Sequence, residues 1–134
     1  MILALRTDSM TAKIAVVSPA HSPAFKIIQS KEWEAGRQLS VQLPAAIDKL
    51  LKNSNSEYSD LTGIIVYEGP GSFTGLRIGI TITNAIAHKL AIPIVGSTGD
   101  EWIELGVEKL KSAKPGSIVM PVYGGEANIT KPKK

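Results

Sequence analysis

The order in which apolar and polar residues follow one another sets out most of the chain's elements. Ile2–Leu5 is a short apolar run, Thr7-Asp8-Ser9 a turn, and Lys13–Val17 a second run that returns beside the first. A further turn covers Ser18-Pro19 to Ser22-Pro23, and Phe25–Gln29 reads as a third strand, so the opening segments predict an antiparallel meander. Trp33–Ser40 reads as a loop. From Gln42 to Lys52 the period becomes helical: Leu43, Ala46, Ile47, Leu50 and Leu51 fall on one side. Pro44 suits the first turn of a helix that begins near Ser40. Asn53–Asp60 is polar and predicts a surface loop.

Ile64–Tyr67 is apolar throughout, the pattern of a central strand buried on both faces. A glycine-rich turn follows, then a helix-like stretch over Leu76–Leu90. Ile92–Val95 reads as another buried strand, and Asp100–Lys111 as a helix with Trp102, Ile103, Leu105 (or Gly106) and Leu110 as its apolar positions. Ile118–Tyr123 reads as a last strand, before a Gly124-Gly125 turn and a polar, basic tail over residues 124–134. The predicted order is β-β-β-α-β-α-β-α-β, an α/β lobe over residues 1–123 with a mixed β-sheet and flanking helices.

The turn reads Gly69-Pro-Gly-Ser-Phe-Thr-Gly-Leu-Arg-Ile-Gly79. A strand, a glycine-rich turn and a helix in that order hold either a phosphate or a close backbone contact. A P-loop needs a lysine after its last glycine, and Leu76-Arg77 stands there instead. A dinucleotide fingerprint needs a third glycine where Thr74 stands. A non-standard anion site from the free N–H groups near Ser72 and Thr74, with Arg77, is the surviving nucleotide reading. The glycines have another regularity. Gly71, Gly75, Gly79, Thr83 and Ala87 are four apart and share one helix face, a smooth ridge that a second helix can approach closely. Leu76, Ile78, Ile80, Ile82, Ile86 and Leu90 surround the cylinder, so both its sides must be covered. The sheet covers one; the Gln42–Leu51 helix or a partner covers the other. The partner reading assigns the interface to Gly71, Gly75, Leu76, Gly79, Ile80, Thr83 and Ala87, with Leu43, Ile47 and Leu50 of the preceding helix.

Composition narrows the chemistry. The 134 residues contain no cysteine, which excludes disulfides, thiolate zinc sites and thiol nucleophiles and fits a reducing cytoplasm. No apolar run reaches the ~20 residues that a bilayer crossing needs. Charge follows rather than precedes Met1–Leu5, unlike a signal peptide. The net charge of +3 equals the three lysines of Lys131-Pro-Lys-Lys134, a tail that either solvates the chain or touches RNA phosphates. His21 and His88 have no partner at metal-ligand spacing, so no metal site is assigned. Ser72 lacks the G-x-S-x-G elbow and reads as a helix cap, so no catalytic residue is assigned. Asp100, Glu101 and Glu104 open a helix and favour its positive end. Trp33 and Trp102 read as core or rim aromatics.

The Gly69–Gly79 segment resembles the signature of the bacterial TsaB (YeaZ) family, the non-catalytic partner in tRNA N6-threonylcarbamoyladenosine synthesis. Met1-Ile-Leu-Ala-Leu resembles that family's opening strand, Arg37-Gln-Leu-Ser-Val-Gln-Leu-Pro44 its Arg-x-His-Ser-Glu-x-Leu-x-Pro region, and Leu90-Ala-Ile-Pro-Ile-Val-Gly-Ser97 the strand after the signature helix. The resemblance covers essentially the whole chain. It implies an actin/Hsp70/sugar-kinase-like (ribonuclease H-like) lobe. It also implies a helix-mediated heterodimer with TsaD, the threonylcarbamoyltransferase that modifies the adenosine next to the anticodon, and a larger complex with TsaE. It places ATP and metal on the partner subunits and no cofactor on this chain alone. A homodimer is expected when the partner is absent, and tRNA is contacted indirectly or through the tail.

The departures matter. Arg6-Thr7-Asp8 stands where the family opens with Asp-Thr-Ser, and Arg6 cannot take the role of the aspartate that active relatives use near metal and phosphates. The family's His and Glu are Leu39 and Val41 here. Family members are longer and continue into a second lobe, so the resemblance implies a minimal member or part of a longer protein. The rival reading, from a different class, is a small nucleotide-binding enzyme of the actin-like ATPase fold that uses the 69–75 loop.

Overall fold

The computed structural model describes residues 1–20 and 25–123. The elements in order are β1 (Ile2–Arg6), β2 (Thr11–Pro19), β3 (Phe25–Glu34), α1 (Leu39–Asn53), β4 (Gly63–Tyr67), α2 (Phe73–Leu90), β5 (Ile94–Ser97) and α3 (Trp102–Leu110). The sheet order is β3-β2-β1-β4-β5. β1, β2 and β3 form the predicted antiparallel meander, while β4 runs parallel to β1 and β5 parallel to β4. This is the mixed α/β sheet expected of an actin-like lobe.

Two helices cover one face and one covers the other. Leu5 pairs in register with Val66 and Ala4 with Ile65, and neighbouring strand residues point to opposite faces. Leu5 and Thr7 meet α2, whereas Ile65 meets α3 at Gly106. α1 packs beside α2 and over β2 and β3. Every residue of β4 is buried, as its unbroken apolar run predicts. Trp102 belongs to the core, edge-on to Tyr67 at 6.0 Å, whereas Trp33 is a rim residue whose Nε1–H donates to Gln42 Oε1 at 2.9 Å.

Several element ends shift by two or three residues, β2 to Thr11–Pro19 and β5 to Ile94–Ser97 among them, and three differences from the sequence reading matter here. β3 extends to Glu34, because Ser30–Glu34 go on pairing with Thr11–Ala15 of β2 despite a loop-like composition, with a bulge opposite Val16/Val17. α2 starts three residues earlier than expected, at Phe73, where Ser72 Oγ accepts from the Gly75 N–H at 3.5 Å. Ser72 is thus the cap that the sequence suggests. The third difference is a correction: Ile118–Tyr123 is not a strand. Asn84 of α2 takes both backbone groups of Val119, donating from Nδ2 to its carbonyl at 2.9 Å and accepting its N–H at Oδ1 at 3.0 Å. A residue held at both groups by one side chain has none left for a ladder. The Val122 N–H then donates to the Glu68 carbonyl at 2.7 Å. Asn84→Ala is expected to leave two Val119 groups without partners, at about 1–3 kcal/mol. Faster hydrogen exchange at Val119 and Val122, with little change at β1, is the check. The Ser22-Pro23 part of the second turn, His21 and the 124–134 tail lie outside the described residues.

Candidate functional site

The carboxyl ends of β1 and β4 meet the start of α2, the place where parallel sheets hold ligands. Here the chain fills that place itself. Arg6 closes β1 with a bidentate ion pair to Asp8, Nε to Oδ1 at 2.7 Å and Nη2 to Oδ2 at 3.1 Å. Its guanidinium also lies 3.8 Å from the centre of the Tyr67 ring. The hydrogen bond to Asp8 raises the Arg6 pKa against the opposing effect of burial, so its charge is fixed. The Ser72 N–H donates to the Asp8 carbonyl at 2.8 Å, and the Thr7 hydroxyl donates to the Gly75 carbonyl at 2.7 Å. Thr98 Oγ1 donates to the Gly69 carbonyl at 2.5 Å, on the far side of the turn.

The glycine ridge therefore faces inward. A Cβ on Gly71 would stand 2.5 Å from Asp8 Cβ; one on Gly75 would overlap the Thr7 carbonyl oxygen. One on Gly79 would overlap Thr7 Oγ1 and stand 2.9 Å from Leu5 Cδ2. Thr83 and Ala87, which continue the series, are buried, and the Thr83 hydroxyl bonds back to Gly79. Leu76, Ile80, Leu43, Ile47 and Leu50 are buried as well. This corrects the interface expected from sequence. Small side chains do permit a close approach, but what approaches is the chain's own β1–β2 turn. Within the described residues the ten side chains assigned to a partner, Gly71 at the turn excepted, are covered or half-covered by their own lobe.

The outward stripes of the same helices remain free. Ile78, Ile82 and Ile86 recur four apart along α2 and are half-buried, the first two beside α1. Ser40, Pro44, Arg77, Ile78, Thr81 and Ile82 line an open groove of about 480 Å³ between the two helices. Val41 stands beside it on α1 with 71% of its surface exposed. Thr81 and Ala85 are exposed on α2. The apolar residues all round the helix were the signal for this surface; assigning the glycine face to the partner concealed it.

Comparison with known proteins now bears on the reading. The family model described as "TsaD: tRNA N6-adenosine threonylcarbamoyltransferase" matches residues 32–130. The tRNA threonylcarbamoyladenosine biosynthesis protein TsaB of Bacillus subtilis (strain 168) is 37% identical over 93 residues, covering 69% of this chain and 38% of that protein. The solved structure of YeaZ from Pseudomonas aeruginosa superposes with a TM-score of 0.62 at 26% identity, over 72% of this chain and 43% of that one. The chain belongs to the TsaB (YeaZ) family. The tRNA N6-adenosine threonylcarbamoyltransferase of Clostridioides difficile is also similar, 28% identical over 74% of this chain and 30% of its own length. The chain thus spans about two-fifths of the TsaB and YeaZ proteins it matches.

Active relatives of this fold hold a nucleotide and a metal where β1 ends, and the residues of this TsaB-family chain do not fit them. A guanidinium stands at the position that needs a carboxylate. The backbone at Thr7 and Asp8 occupies the glycine cradle, and the Ser72 N–H is already bonded. Ser72 Oγ serves as the cap, Thr74 is exposed, and Arg77 lies over the Phe73 ring at 5.4 Å. The three residues proposed for an anion thus have other positions or partners. Among the described residues no three His, Asp or Glu side chains gather as a metal would require, and no helix is long and apolar enough to cross a membrane.

Proposed function

We propose that this chain is the non-catalytic partner of a TsaD-type threonylcarbamoyltransferase in tRNA N6-threonylcarbamoyladenosine synthesis. It docks that enzyme through the outward stripes of α1 and α2. The observation that carries this reading is the contrast between the two ends of the same helix pair. The glycine-rich end, where an enzyme of this fold would work, is occupied by Arg6, Thr7 and Asp8 of the chain itself. The outward groove floored by Ile78 and Ile82 is open. An apolar groove between two helices is a seat for further helices. Docking there leaves tRNA and ATP to the transferase and to a TsaE-type third subunit, in the cytoplasm where tRNA is modified.

Co-purification with the transferase encoded in the same genome tests the proposal directly. Calorimetric titration with ATP and magnesium separates it from the nucleotide-enzyme reading. No heat is expected from the chain alone at millimolar nucleotide; a saturable one-to-one isotherm would establish the enzyme reading instead.

A further inference from the structure

We propose that the trough between β3 and α1 takes one unpaired base of an RNA, stacked on Trp33, with its flanking phosphates on Lys31 and Lys49. The inference stands on its own residues and does not depend on docking at the α1–α2 groove. Ser40 and Pro44 of α1 line that groove, whereas Gln42, Ala45, Ala46 and Lys49 face β3. The two surfaces thus lie on different sides of α1. With Lys31 and Trp33 of β3, the latter four residues line an open trough of about 330 Å³, a size that suits a small ligand group. Chemistry on the tRNA stays with the transferase; the trough adds a contact to an unpaired base away from the reaction centre.

Trp33 is pinned at its edge, where Nε1–H donates to Gln42 Oε1 at 2.9 Å. That bond uses the ring's one donor and orients a half-buried indole in advance of any ligand. The Lys31 ammonium lies 5.3 Å from the ring centre. It ends an exposed, flexible side chain, so an incoming base moves it off the ring and onto a phosphate oxygen. Lys49 is exposed on the α1 wall. Among the described residues neither lysine is ion-paired and no carboxylate lines the trough. Alternation along β3 turns Glu32 and Glu34 to the opposite face of the sheet, where Glu32 pairs in register with Lys13 beside Trp102. Asp48 and Glu57 line a separate cleft with Tyr58, and Asp60 accepts the Glu57 N–H there. The apolar lining is one indole and two alanine methyls, too little for a helix to bury a side against. An unpaired base matches it better, because one ligand then brings both a flat face for the indole and phosphates for the two ammonium groups.

The experiment titrates the whole chain with a single-stranded RNA of mixed sequence, and with the same RNA annealed to its complement, at several salt concentrations. It follows tryptophan fluorescence and affinity for the unaltered chain, Trp33→Ala, Trp33→Phe, Lys31→Gln/Lys49→Gln, Lys111→Gln/Lys114→Gln and the chain without residues 131–134. The single strand is expected to bind more tightly than the duplex and to quench the fluorescence. Trp33→Ala is expected to lower affinity about tenfold and to abolish the quenching, and Trp33→Phe to restore most of the affinity. Lys31→Gln/Lys49→Gln is expected to flatten the salt slope by about 1.4, at about 0.7 per phosphate contact, while Lys111→Gln/Lys114→Gln leaves it unchanged. Equal thermal transitions for all variants separate these effects from unfolding. If Trp33→Ala leaves binding intact and removal of residues 131–134 abolishes it, the tail holds the RNA and the inference is overturned. Equal binding of duplex and single strand without quenching would overturn it too, since the lysines then act without the ring. If the Trp33 and Lys31/Lys49 variants lose the same-genome transferase instead of RNA, the trough is a protein contact and the inference falls. A chain that binds RNA through Trp33 but does not bind the transferase keeps this inference and overturns the docking reading alone.

Discussion

Gly75→Ala lowers the stability of this chain by about 1–3 kcal/mol, the cost of overpacking a filled site. In an exposed helix the same change would raise stability by roughly 1 kcal/mol. The difference in sign comes from one neighbour. The added methyl overlaps the carbonyl oxygen of Thr7, a backbone atom that cannot rotate away. Moving that carbonyl also strains the hydrogen bond from the Thr7 hydroxyl to the Gly75 carbonyl and the one from the Ser72 N–H to Asp8. Gly79→Ala meets the Thr7 hydroxyl, which holds the Gly75 carbonyl, and Leu5, both buried, so it is expected to lose stability as well. Gly75→Leu/Gly79→Leu is therefore a folding variant rather than an interface variant, and its expected loss exceeds that of either alanine change. Urea denaturation with an unchanged m-value checks this. A midpoint for Gly75→Ala equal to or above that of the unaltered chain would show that α2 does not rest on the β1–β2 turn.

The second large effect lies on the opposite side of the same helix. Thr81→Trp/Ala85→Trp is expected to weaken binding of the transferase by a hundredfold or more and to leave the thermal transition within a few degrees. Both side chains are exposed on α2, so their enlargement extends outward from the lobe. Two indoles in a groove meant for a close helix contact would each cost about 1–3 kcal/mol, and each 1.4 kcal/mol is tenfold in affinity. Calorimetry against the transferase gives the affinity, and restoration of threonylcarbamoyladenosine in tRNA gives the functional readout. Unchanged affinity would move the interface off this face.

The sequence made the frame legible where one physical requirement dominates. The meander, the buried β4 and the three helices follow from apolar period alone, because burial decides them. The family was legible in the Gly69–Gly79 signature for a similar reason: few sequences need glycines at those positions. The direction in which that signature faces was not legible. Four-residue spacing puts Gly71, Gly75 and Gly79 on one side of a helix, but a helix wheel carries no label for strand or partner. The turn that they meet, Thr7-Asp8, is distant in sequence and shows no pattern of its own. Ile118–Tyr123 misled for the opposite reason. Its apolar run is strand-like, yet a single side chain, Asn84, holds Val119 at both backbone groups, and no sequence pattern registers one such contact. Arg6 was readable as a departure from the family; its pairing with Asp8 and stacking on Tyr67, which close the strand end, required coordinates.

Light scattering of the chain mixed with the same-genome TsaD-type transferase tests the central claim most directly. The expected result is a one-to-one complex that persists at micromolar concentration and is lost with Thr81→Trp/Ala85→Trp. Two separate species with the unaltered chain, or a complex that the double variant still forms, would contradict it.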